Sequence, residues 1–148
     1  GEYNQEKDIM QIGQKMADDD RIDGALFCDL DYFKAIYNLE RRKTLRSGNT
    51  EFLGLICVVH DKENRSGKYK DTVSTALENV LSQSLRKGDV FAWWNPYQMV
   101  IMLTDVCEEN LTLISKRIEE NFRGEIFPNK ISIRISFQPV GAKESFIK

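Results

Sequence analysis

The chain has little that could hold a metal or close a disulfide. Its 148 residues include one histidine, His60, and three cysteines, Cys28, Cys57 and Cys107. No Cys-x-x-Cys pair occurs, and an odd count always leaves one thiol over. Cys28 and Cys57 lie in apolar, strand-like runs, which reads as buried, reduced thiols of a cytoplasmic protein. With one imidazole and no cluster of ligands, neither a metal nor a cofactor is expected. The longest apolar run, Phe52 to Val59, falls well short of the roughly 18 residues of a membrane span. No membrane association is expected. Gly1 to Arg21 is charged throughout, so no signal peptide is expected. A net charge of −2 and a pI near 5.5 give no global attraction for nucleic acid. No internal repeat and no low-complexity segment interrupts the chain.

What is present suits one compact domain. Hydrophobic residues make up 41% and charged residues 30%, ordinary values for a folded protein with a sizeable core. In Glu2 to Ala17, Ile9, Ile12 and Met16 recur at i, i+3, i+7, which predicts a short amphipathic helix ended by Asp18-Asp19-Asp20. Gly24 to Cys28 reads as a short strand. Asp31 is the expected N-cap of a helix from Tyr32 to about Arg46, with Phe33, Ile36, Tyr37 and Leu45 inward and Gly48 as its stop. The basic cluster Arg41 to Arg46 suits a solvated helix C-terminus better than a nucleic-acid site.

Beyond Gly48 the periodicity is regular. Phe52 to His60 is almost continuously apolar, which predicts a strand buried on both faces. Lys62 to Lys70 is polar loop. Asp71 to Leu85 reads as a helix with Val73, Leu77, Val80, Leu81 and Ser84 on one side. Val90–Trp94 and Gln98–Leu103 read as strands joined by a tight turn at Asn95-Pro96-Tyr97. Asp105 to Phe122 reads as a helix on Leu111, Ile114, Ile118 and Phe122, with Glu108 and Glu109 as helix-start charges. Ile131 to Phe137 alternates strictly, apolar against Ser132, Arg134 and Ser136. The order from Phe52 is β-α-β-β-α-β. It predicts an α+β, ferredoxin-like core with helices packed on one face of a sheet. An N-terminal helix, a short strand and an extra helix precede it. The expected divisions are 1–22 as helix and linker, 23–140 as the domain and 141–148 as a tail.

Ser84 to Leu103 supports a narrower reading. A helix end, Arg86-x-x-Asp89, five residues and a hairpin turn resemble the central hairpin of the GGDEF domain, the diguanylate cyclase family. Phe33 to Arg42, Arg46-Ser47-Gly48, Phe52 to Asp61 and Ile131 to Ser136 resemble further elements of that family, so the resemblance spans about residues 23–140. It implies a nucleotide-cyclase-like fold. Where the family carries Gly-Gly-Asp/Glu-Glu-Phe, this chain has Asn95-Pro96-Tyr97-Gln98-Met99. Asp29-Leu30-Asp31-Tyr32-Phe33-Lys34 matches the family's Asp-x-Asp-x-Phe-Lys letters but stands one helix and one strand too early. The positional equivalent is Asp61-Lys62-Glu63-Asn64-Arg65-Ser66, which keeps the first carboxylate and lacks Phe-Lys.

The resemblance implies a cyclase chemistry whose requirements this chain does not meet. Two divalent metals need carboxylates, and the phosphates need a turn whose N–H groups are uncovered. Pro96 has no N–H and Tyr97 adds bulk. Gln98 replaces the metal-binding glutamate with a neutral amide, a poor Mg²⁺ ligand. Asp61 is then a vestigial metal position, and no catalytic residue is assigned. In active relatives an Arg-x-x-Asp at this spacing binds cyclic di-GMP. Arg86 and Asp89 are therefore candidate ligand residues, or simply the ends of a helix-to-strand turn with Gly88 at the C-cap.

Of Trp93 and Trp94, period 2 turns one inward. If Phe91 and Trp93 share the inner face, Trp94 is exposed and, with Pro96 and Tyr97, is a candidate protein contact. The expectation is a non-catalytic regulatory or assembly domain of a bacterial signalling or transcriptional regulator. Its partners would be a second copy or an upstream domain of the same protein, without direct nucleic-acid binding. The alternatives are a receptor for cyclic di-GMP or another nucleotide, and residual nucleotide turnover at Asp61.

Overall fold

The computed structural model describes residues 4–17, 24–44, 50–60, 70–125, 127 and 131–141. Along the chain run α1 (Gln5–Met16), β1 (Leu26–Phe27), α2 (Leu30–Thr44), β2 (Phe52–His60), α3 (Lys70–Ser84), β3 (Val90–Asn95), β4 (Gln98–Leu103), α4 (Leu111–Arg123) and β5 (Ile131–Pro139). Among the described residues the strands form one sheet in the order β1-β3-β4-β2-β5. β1 runs parallel to β3, and the other neighbours are antiparallel. β2 to β5 therefore form the ferredoxin-like core, and β1 extends it at the β3 edge.

The two faces of the sheet are built differently. α3 and α4 cover one face, where Ile56, Leu77, Leu81, Phe91, Ile101 and Ile118 are fully buried together. Alternation along each strand sends these residues to the same side. Gly54 lies on this face because nothing larger fits. A Cβ there would stand 2.6 Å from Ile101 Cγ1 and 2.7 Å from the Phe137 ring. α2 takes the opposite face, with Phe33 buried against Val90, Ala92, Met102 and Val140. The helices are thus not confined to one face. The split pattern places α3 and α4 alone, and α2 needs a second apolar surface for its own stripe.

Several local expectations are corrected. β2 is not buried on both sides: Phe52, Gly54, Ile56 and Val58 are buried, and Leu53, Leu55, Cys57, Val59 and His60 are only half-buried. α2 packs chiefly on β3, with Leu53 of β2 and Val140 beyond β5 also joining its Phe33 cluster. The cap of α2 is Asp29 rather than Asp31, its Oδ1 accepting from the Tyr32 N–H at 2.8 Å. The helix before β5 begins at Leu111 and not at Asp105. Asp105 has φ 58°, and a single turn of 3₁₀ helix at Glu108–Asn110 intervenes. A left-handed residue cannot propagate a right-handed helix. Gly88 does not cap α3, which ends at Ser84. It lies in the turn closed by Asp89 N–H donating to the Arg86 carbonyl at 3.0 Å. Leu45, Arg46, Gly48 and most of the 62–70 loop fall outside the described residues.

Candidate functional site

Two features carry the sequence-derived candidates: the turn entering β3 and the hairpin tip joining β3 to β4. The turn is built around a buried carboxylate. Asp89 is 2% exposed. Its Oδ2 accepts from the Arg86 N–H at 2.9 Å, and its Oδ1 accepts from the Thr104 N–H at 3.2 Å. The Arg86 Nε lies 3.8 Å from the same carboxylate. The Arg86 guanidinium also donates to the carbonyl oxygens of Thr104 and Asp105. The structure thus brings Arg86 and Asp89 together, with Asp89 turned into the protein and the Arg86 side chain lying exposed over the turn. A carboxylate receiving two backbone N–H groups ties the α3–β3 turn to the end of β4, which explains Asp and Arg at this spacing without a ligand.

The hairpin tip is closed by its own side chains. Asn95 Oδ1 accepts from the Tyr97 N–H at 2.9 Å, an Asx turn. Asn95 Nδ2 donates to Gln98 Oε1 at 2.6 Å, and Gln98 Nε2 reaches Cys57 Sγ at 3.3 Å. The Tyr97 carbonyl accepts from the Val58 N–H at 2.9 Å, fastening the tip to β2. The Tyr97 ring stands edge-on to His60 at 5.1 Å between centroids. Pro96 is exposed at the apex. Register slips between Trp93 and Asn95, so the strand end is irregular.

The tryptophans separate as period 2 predicts. Trp93 packs into the α3/α4 core, its indole N–H donating to Glu78 Oε2 at 2.8 Å. Trp94 faces the other side and is 52% exposed, and Tyr97 is 39% exposed. The Lys34 ammonium lies 5.8 Å from the Trp94 ring centroid, a cation–π contact. The Asp29 to Lys34 run is thereby accounted for structurally. Asp29 caps α2, Phe33 fills the core beneath it, and Lys34 covers Trp94. The Glu78–Trp93 bond, missed in the sequence, had as its only signal a carboxylate on the inner side of α3.

Among the described residues no group of His, Cys, Asp and Glu could hold a metal. Asp61 lies outside those residues. No described helix is long and apolar enough to cross a membrane. Burial, and then the Asp29 carboxylate beside it, push the Cys28 thiol upward from its ordinary pKa.

The fold is that seen in GGDEF diguanylate cyclase domains. No family model matches the sequence, and no curated protein does. Solved structures do match. The diguanylate cyclase SiaD of Pseudomonas aeruginosa, in complex with its activator SiaC, aligns with a TM-score of 0.68 at 14% identity over 96% of this chain. The chain spans 58% of the SiaD chain. The FimX GGDEF domain of Pseudomonas aeruginosa aligns with a TM-score of 0.68 at 10% identity, over 86% of this chain and 83% of that one. The GGDEF domain of DgcB from Caulobacter crescentus, in complex with c-di-GMP, gives 0.64 at 13% identity, over 82% and 78%. At identities this low the likeness is one of fold alone.

Proposed function

We propose that this domain is a non-catalytic GGDEF-like regulatory or assembly module of a bacterial signalling or transcriptional regulator. The observation that carries the reading is the self-closed hairpin tip. At the place where the cyclase fold needs bare backbone and a metal carboxylate, Asn95 and Gln98 bond to each other, to Tyr97 and to Cys57. A tip whose polar groups are already paired offers little to a triphosphate or a cation. An exposed Trp94 with Pro96 and Tyr97 supports a protein contact there, to a second copy or to an upstream domain. SiaD, of the same fold, is itself found bound to a protein activator.

The test is incubation of the purified chain with GTP and Mg²⁺ or Mn²⁺. No cyclic di-GMP is expected. Product formation abolished by Asp61→Ala would overturn the reading.

A receptor role is the second reading, favoured by Arg86 and Asp89 at the family's spacing and by DgcB, of the same fold, being found with c-di-GMP. The buried, doubly engaged Asp89 weighs against it. Calorimetry with cyclic di-GMP on wild type and Arg86→Ala separates the two.

A further inference from the structure

The α2 face of the sheet carries an apolar groove that α2 leaves open. Two adjoining hollows of about 380 and 280 Å³ share Leu53, Trp94 and Val100, and Leu55 continues the floor. Leu53, Leu55 and Val100 are half-buried, and Trp94 is 52% exposed. The walls carry polar groups: Lys34 of α2 on one side, Ser136 and Gln138 of β5 on the other. A face meant for water would carry polar residues along β2 as well.

The groove has the width of a helix. α2 packs chiefly on β3, and β2 lies two strands further along the sheet, roughly 9–10 Å away. Packed helices stand roughly 8–10 Å apart. A second helix laid beside α2 would therefore sit over Leu53 and Leu55. The chain holds one amphipathic helix without such cover. None of the residues of α1 is buried, and Ile9, Ile12 and Met16 form a stripe in which each is more than half exposed. Its 12 residues make α1 about 18 Å long. The open-face run of β2, Leu53 to Val59, spans about 20 Å.

Charge fits as well as size. Lys34, over the Trp94 ring, and Arg134, which pairs with Cys57, stand on the two sides of the groove at its hairpin end. Arg134 alternates with Ser136 and Gln138 along the exposed side of β5. Among the described residues, none that lines the two hollows is Asp or Glu. In α1, Glu6 and Asp8 flank the apolar stripe on opposite sides near the N-terminus. With that end toward the hairpin, one carboxylate faces each cation. The reverse orientation would bring Lys15 there instead.

We propose that α1 of one copy docks into this groove of a second copy, so that two chains form a two-fold dimer by exchanging α1. The inference deepens the assembly reading and rests on it. A second copy is the occupant because α2 stands between the groove and β1, where the chain arrives from α1. Gly24, at that entry, lies against the Ser82 carbonyl of α3, on the opposite face of the sheet. Docking within one chain would require the link to climb over α2. Exchange buries both apolar surfaces at once, twice per dimer.

Sedimentation equilibrium of the full chain over a range of concentrations tests the exchange. Wild type should dimerise. Ile12→Lys, on the exposed helix stripe, and Leu55→Lys, on the groove floor, should each weaken dimerisation roughly tenfold or more. Mixed together, the two variants should form a heterodimer, because the first keeps an intact groove and the second an intact helix. A mixture no more associated than its separate components overturns the proposal. Leu55→Lys dimerising like wild type also overturns it and assigns the contact to α1 against α1. Ile12→Lys dimerising like wild type overturns it too; loss of that dimer in Trp94→Ala then leaves the assembly reading on the hairpin tip alone. A monomeric wild type overturns the proposal in every case. Cyclic di-GMP binding by that monomer would overturn the assembly reading with it, and no binding would leave an upstream domain as the partner. Should Leu55→Lys fail to fold by circular dichroism, Ser136→Glu, at an exposed position on the groove wall, takes its place in the same comparison.

Discussion

Asp89 has the environment of a structural carboxylate: buried, with both oxygens receiving backbone N–H groups. Asp89→Ala would leave the Arg86 and Thr104 N–H groups without that partner. A loss of about 1–3 kcal/mol is expected, measured by urea unfolding. Full stability in that variant, together with lost cyclic di-GMP binding, would favour the receptor reading. Leu77, fully buried between α3 and the sheet, sets the scale for a core residue. Leu77→Ala should cost about 2–5 kcal/mol, and a change below about 0.5 kcal/mol would mean that the helix register is wrong. Cys28 offers a chemical readout. Because burial and Asp29 raise its pKa, its thiolate is scarce at neutral pH. Cys28 should alkylate more slowly than the exposed Cys107, as peptide mass mapping would show. The sign for stability follows: the contribution of the raised pKa is present below the thiol's unfolded pKa and is lost as pH rises through the folded one.

At the scale of elements, α2 separates letters from positions. Asp29 and Asp31 both precede apolar residues, and the sequence pattern alone favours neither as the cap. The backbone decides, because only Asp29 stands three residues before the N–H that it accepts. Asp29→Ala should therefore lower stability by roughly 1 kcal/mol, and Asp31→Ala by much less. Equal losses in denaturant unfolding would contradict the assignment. β3 and β4 were legible because period 2 sorts Phe91 and Trp93 from Ala92 and Trp94. The bonds of Gln98 were not. Its partners are Asn95, three residues away, and Cys57, a neighbour only because β2 pairs with β4. The early start predicted for α4 failed for a local reason, the left-handed Asp105, for which the residue type alone is a weak signal.

For the whole molecule, the question is what meets the exposed face around Trp94. An apolar hairpin tip and a half-covered sheet are surfaces that a stable monomer usually limits. If the tip is a contact between copies, sedimentation should show association that rises with concentration, and Trp94→Ala should weaken it. A strict monomer at high concentration, with tight nucleotide binding lost in Arg86→Ala, would instead support the receptor. Docking to an upstream domain predicts a monomeric isolated chain without nucleotide binding, and protection of Trp94 in the longer protein.

The succession of helices and strands, the position of the hairpin and the opposite facing of Trp93 and Trp94 were legible in the residue order alone. Each follows from periodicity and turn chemistry, which act over a few residues. Only the tertiary structure decided which carboxylate caps α2, that Asp89 is spent on two backbone N–H groups, and that β2 keeps one apolar face half open. Those depend on pairing between segments distant in the chain. A run of apolar residues records that a strand can be buried on both sides, but not whether enough helix exists to cover it. Here α2 packs chiefly on β3, and beside the exposed Trp94 at its end Leu53, Leu55 and Val100 of β2 and β4 are left half-open.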